Sequence, residues 1–167
     1  EFSAIELAHY RDVLTALRER GLTSFVTLHH FTLPRWFAER GGWTAADALD
    51  VFERYCRWVI DGLGDLADMI CTINEPQMVA MHGYLEGIHP PGATNPTLWK
   101  QVGRTLLEAH HRAVDVAHAG CDAPAGLVVQ LPLLAPARDD AACIAFRDEM
   151  QAEIVDLYLD GLDPEDE

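Results

Sequence analysis

The chain has 167 residues, 49% of them hydrophobic and 23% charged, a composition of globular proteins with one core, taken here as a single domain over residues 1–167. Its net charge of −15, with Lys100 as the single lysine, excludes partners that present phosphate backbones or anionic lipid. No apolar run is long enough to span a bilayer, and the N-terminus carries acids where a secretory leader needs a basic stretch. Cys56, Cys71, Cys121 and Cys143 are widely spaced and form no C-x-x-C pair. They read as reduced, mostly buried thiols of a cytoplasmic protein, with no metal and no cofactor expected.

The first element is a helix over residues 3–20. Ser3 and Glu6 form a capping-box pattern, and Ile5, Tyr10, Val13, Leu14 and Leu17 recur at helical spacing. Gly21 suits the left-handed turn that ends it. Residues 24–31, rich in β-branched and aromatic side chains, read as a buried strand. A loop over 33–43 follows, and a second helix is expected from Thr44 to Gly64 with Leu49, Phe52, Cys56, Val59, Ile60 and Leu63 inward. The second strand covers 69–74 and stops at Pro76, which has no amide proton for a ladder.

Residues 77–95 read as a long loop whose start is helical. A third helix spans about residues 96–119, burying Leu98, Val102, Leu106, Ala109, Ala113 and Val116. His110 and His111 on it read as ordinary helix residues, one packed and one solvated. The third strand is expected over 125–131. A fourth helix from Asp139 or Asp140 should carry Cys143, Phe146, Met150, Ile154 and Leu157 inward, and residues 163–167 read as a frayed acidic tail. Strands alternating with helices predict an α/β fold with parallel strands: one helix followed by three βα units.

Two segments carry chemistry. In Thr72-Ile73-Asn74-Glu75-Pro76 a polar pair stands at the C-terminal end of an apolar strand, which is the active face of a parallel α/β barrel. Apolar neighbours would partly desolvate Glu75 and favour the protonated form a general acid needs. The same glutamate could instead cap the helix that follows. In Leu28-His29-His30-Phe31 two histidines end the first strand, and a neutral imidazole can donate to or accept from a sugar hydroxyl. A packed core histidine is the competing reading.

Taken together and in order, these segments resemble glycoside hydrolase family 1, the β-glucosidase and β-galactosidase family. The resemblance rests on His9-Tyr10, residues 16–22, residues 26–34, Gly41-Gly42-Trp43, Phe52 with Tyr55, Gly64-Asp65, residues 72–76, Gly83-Tyr84 and Pro91-Gly92. It implies a partial (β/α)8 TIM barrel running from the second barrel helix through the third, fourth and fifth strands. It implies that Glu75 is the acid/base residue, that His30 and Asn74 bind the sugar, and that Trp36 flanks the aglycone entrance, with Trp43 structural. Phe31 and Thr32 stand where the family usually has Trp and Asp.

Retaining glycosidases need two carboxylates about 5–5.5 Å apart. The resemblance puts the second on a later strand, in a Thr-Glu-Asn-Gly type motif that this sequence does not contain. A full barrel takes about 250 residues. One reading is therefore a section of a retaining β-glycosidase acting on a β-glycoside or oligosaccharide. The other is a non-catalytic remnant that binds sugar weakly or self-associates through open sheet edges.

Overall fold

The computed structural model describes residues 2–162. Its elements run α1 (Ala4–Glu19), β1 (Phe25–His29), α2 (Arg35–Glu39), α3 (Ala48–Leu63), β2 (Met69–Asn74), α4 (Pro76–Ala80), α5 (Pro96–Gly120), β3 (Ala125–Val128), α6 (Ala141–Gln151) and α7 (Leu157–Gly161). The expected acidic tail at 163–167 lies outside the described residues.

The strands form one parallel sheet in the order β1-β2-β3. The central strand β2 is buried from Ile70 to Ile73, as a parallel strand covered on both faces should be. On β1 and β3 the two faces differ. Val26, Leu28 and Ala125 turn toward the helices, whereas Phe25, Thr27 and Gly126 are exposed on the opposite face, as is Met69 at the start of β2.

Helices α3 and α5 cover the sheet. The α3 stripe predicted from the sequence is buried at Phe52, Cys56, Val59, Ile60 and Leu63, and half-buried at Leu49. Along α5, Val102, Leu106, Ala109, Ala113 and Val116 are buried as expected, and Leu98 is half-buried. Each large aliphatic side chain removed from water this way contributes about 1.5–3 kcal/mol. Helix ends follow sequence rules. Ser3 Oγ accepts from the Glu6 amide, Gly21 adopts φ 68°, and the Asn95 side chain accepts from the amides of Thr97 and Leu98.

Several expectations are corrected. The first strand is shorter than 24–31, and the third stops at Val128 rather than 131. The segment 33–43 is not all loop: it contains α2, then a 3-10 turn at Gly42–Thr44, so α3 starts four residues later than Thr44. Its tight turn uses Gly41 and Gly42 at φ 102° and 58°, and a Cβ on Gly42 would sit 2.5 Å from the Tyr84 hydroxyl. The loop over 77–95 begins with α4 and a π-helical turn at Met81–Leu85.

The apolar stripe of α1 is buried only at Leu14, while Ile5, Tyr10 and Val13 are exposed. Phe146 is likewise exposed, and α6 buries no residue; the chain turns inward only at Ile154, Val155 and Tyr158. Helix α6 is tied to α5 by Lys100–Glu149 at 2.6 Å, and Arg104 reaches Glu153 at 3.1 Å just beyond it. Periodicity marks which face of a helix is apolar, but the described chain supplies no element to cover these two. Cys56 and Cys71 are buried and Cys121 and Cys143 half-buried; all four are unpaired. No helix among the described residues is long and apolar enough to cross a membrane.

Candidate active site

The sheet register decides what meets at the strand ends. Phe25 pairs with Met69 and His29 with Ile73, a constant offset of 44 residues. His30 and Phe31 follow the last paired residue of β1, and Asn74 and Glu75 follow Ile73 on β2, so all four stand at the C-terminal ends of their strands. Neighbouring strands lie about 4.8 Å apart, so these residues occupy one end of the sheet. Phe31 at φ 63° and Glu75 at φ 47° are the two non-glycine residues with left-handed backbone among those described. Such conformations cost roughly 1–2 kcal/mol each for an L-residue and gather at functional sites.

At the end of β2 the ladder slips. Cys71 pairs with Gly126, but Asn74 pairs with Val128, so three steps on β2 match two on β3. This is a β-bulge, a device that re-aims side chains beside active sites. Strict alternation would turn Asn74 away from Cys71. Register with β3 instead returns it to the exposed face that Gly126 shares. The Glu75 amide then donates to the Val128 carbonyl at 2.7 Å, and its own carbonyl accepts from the amides of Met78 and Val79 as α4 begins. Glu75 occupies the N-cap position of α4, yet its side chain makes no capping hydrogen bond. Asn74 and Glu75 are both half-buried.

At the end of β1, His29 and His30 part company. His29 is 7% exposed, its ring edge-on to Trp43 at 5.3 Å and to Phe52 at 6.3 Å between centroids. Burial, and secondarily the neighbouring His30, push its pKa down to about 4. Among the described residues its Nε2 and the Trp43 Nε1 have no hydrogen-bond partner, and the Trp43 ring packs edge-on against Phe37 and Phe52. His30 is exposed at the strand end, its ring against Phe31 at 5.0 Å. Trp43 is 2% exposed, and its amide donates to the Tyr84 hydroxyl at 2.7 Å. That bond ties the turn after α2 to the segment after α4, and burial pushes the Tyr84 pKa up to about 12.

Trp36, on α2, is 44% exposed, with the Arg40 guanidinium 6.0 Å from its ring. A cavity of about 720 Å³ reaches His30 and Trp36 but runs between α1, β1 and α3 along apolar walls such as Leu7 and Val59. Neither Asn74 nor Glu75 lines it, so the cavity is not where the strand-end polar groups converge. The sequence reading passed over His82, Glu86 and His89. Their rings and carboxylate form a chain beside Phe31: His82 Nδ1 to Glu86 at 2.7 Å, His82 to His89 at 5.0 Å, His89 to Phe31 at 5.7 Å. The four-residue spacing of His82 and Glu86 is the available signal, hidden by the glycines and prolines that make 77–95 look like a loop.

Residues 2–161 match the model of glycosyl hydrolase family 1. The chain belongs to that family. Among curated relatives, a β-glucosidase A of Thermotoga maritima is 37% identical over 110 residues, covering 66% of this chain and 25% of the relative. A β-glucosidase A of Acetivibrio thermocellus is 32% identical over 136 residues, covering 81% of this chain and 30% of the relative. Among solved structures, a β-glycosidase from Pyrococcus horikoshii superposes with a TM-score of 0.85 at 31% identity, covering 96% of this chain and 37% of that one. The chain thus spans between 25% and 37% of the length of these relatives. Its parallel sheet is a section of the TIM barrel of family 1 enzymes, and the C-terminal strand ends that carry His30, Asn74 and Glu75 lie on the face where such barrels place their chemistry.

Proposed function

We propose that this chain is the acid/base-bearing section, residues 1–167, of a retaining β-glycosidase that hydrolyses β-glycosides or oligosaccharides. What supports the reading is that His30, Asn74 and Glu75 all stand at C-terminal strand ends of a family 1 section, with the Glu75 carboxyl uncommitted to helix capping. Glu75 protonates the glycosidic oxygen as the leaving group departs, then takes a proton from the water that attacks the glycosyl-enzyme. The nucleophilic carboxylate, about 5–5.5 Å away in a retaining site, comes from outside these residues. His30 and Asn74 hold hydroxyls of the sugar being cleaved, and Trp36 flanks the aglycone. No metal or cofactor enters this scheme. The four unpaired thiols favour a reducing, cytoplasmic setting.

In a protein that carries this chain within its complete barrel, Glu75→Gln should slow hydrolysis of poorly activated aryl β-glycosides by roughly 10²–10⁴-fold, while highly activated leaving groups suffer least. An unchanged rate on the poorly activated substrates would overturn the assignment. A second reading, assembly through open edges, is favoured by exposed Phe25 on the edge strand and by exposed Ile5, Tyr10 and Val13 on α1. Sedimentation of the isolated chain tests it; a monomer at all concentrations rejects it.

A further inference from the structure

We propose that His110 and Thr72 are a positioning pair: together they fix the β2 bulge that presents Asn74 and Glu75. The inference rests on the acid/base reading of Glu75. Thr72 lies within the bulge, between the pairs Cys71 with Gly126 and Asn74 with Val128. Its side chain is 0% exposed and faces α5, where His110 is 1% exposed. The Thr72 hydroxyl lies 2.8 Å from His110 Nδ1 and donates to the Gly126 carbonyl at 3.2 Å. A hydroxyl has one proton to give, so with that proton on Gly126 it accepts from an Nδ1–H of the imidazole.

The arrangement locks the bulge from both sides. One bond reaches across to β3 at the residue where the register begins to slip, and the other reaches back to the helix that covers the sheet. Beyond the bulge the next tie to β3 is the Glu75 amide on the Val128 carbonyl at 2.7 Å. Gln77 adds a further one, its Nε2 donating to the Gln130 carbonyl at 2.6 Å. The Asn74-Glu75 pair is therefore slung between two anchors. The upstream anchor, Thr72 with His110, makes no contact with substrate and works through where the acid/base carboxyl stands.

A misplaced proton donor slows substrates in proportion to how much their leaving group needs a proton. A general loss of fold slows all of them alike. In a protein carrying this chain within its complete barrel, Thr72→Val removes the hydroxyl. We expect kcat on poorly activated aryl β-glycosides to fall about 10–100-fold, with KM changed less than about threefold, and highly activated ones to fall less than about threefold. Thr72→Ser, which keeps the hydroxyl, should restore kcat on the poor substrates. If Thr72→Val does not fold, His110→Phe gives the same readout, because its ring fills the same space with no polar atom to meet the Thr72 hydroxyl. Equal slowing of all substrates, or no slowing, overturns the positioning role. Glu75→Gln is measured beside them. If it too shows no dependence on leaving group, the acid/base reading falls and the positioning role falls with it. If it shows the dependence and Thr72→Val does not, only the positioning role is lost.

Discussion

At the end of β1, His29 is wedged edge-on between Trp43 and Phe52, with no hydrogen bond to its Nε2 among the described residues. At the end of β2, one strand away, Thr72, Glu75 and Gln77 are each tied to β3 or its extension by a hydrogen bond. Both ends finish on a left-handed non-glycine residue, yet apolar packing holds one and polar bonds hold the other. Packing tolerates small shifts and fails when volume is lost; a hydrogen-bond frame is directional and fails when a single group is removed. The stiffer frame carries the proposed proton donor, whose reach must be accurate, while the packed end carries His30, whose proposed task is only to meet a hydroxyl.

The largest effect expected from this difference is at Trp43. Trp43→Ala empties the box around His29 and should cost about 3–5 kcal/mol, read by urea denaturation of the protein. A cost near 1 kcal/mol would mean that the β1 end is not held by packing. Next comes the response to acid. His29 has a folded pKa of about 4 against an ordinary 6.5, so the unfolded chain takes up the proton more readily. The stability it contributes is complete above pH 6.5 and is lost as pH falls toward 4, by up to about 1.4 kcal/mol per pH unit and roughly 3 kcal/mol in all. His29→Phe should flatten that part of the stability profile between pH 6.5 and 4. A profile as steep as before would show that the imidazole is not kept neutral by its aromatic surroundings.

The sequence made the parallel α/β order legible, because runs such as 69–74 and the stripe of α5 are long and clearly periodic. It also located the strand-end pair Asn74-Glu75, since Pro76 fixes where β2 stops. What it could not show was the bulge: a slip of one residue between Cys71 and Asn74 changes no composition and no period, only the partner across the ladder. Composition and spacing could not separate His29 from His30 either; only the family resemblance singles out His30. The two are identical in kind and adjacent, and only the aromatic box built by Trp43 and Phe52 decides which is buried. Phe146 on α6 failed for a different reason, for an apolar face names its chemistry but not its neighbour.

The smallest effect tests what the two ends share. Phe31 and Glu75 stand at φ 63° and 47°, where a Cβ crowds the following carbonyl. Elsewhere in a regular element, replacing a residue by glycine destabilises more than replacing it by alanine. Here the order should invert. Phe31→Ala and Phe31→Gly delete the same ring, so their difference isolates the backbone, and the glycine variant should be the more stable by about 1 kcal/mol. The pair Glu75→Ala and Glu75→Gly should show a gap of the same sign, measured by the same denaturation experiment. Equal gaps would mean that strain is built into both strand ends irrespective of what holds them. A gap at Glu75 alone would tie the strain to the hydrogen-bonded frame, because only a directional frame could then force the chain into that conformation against its preference.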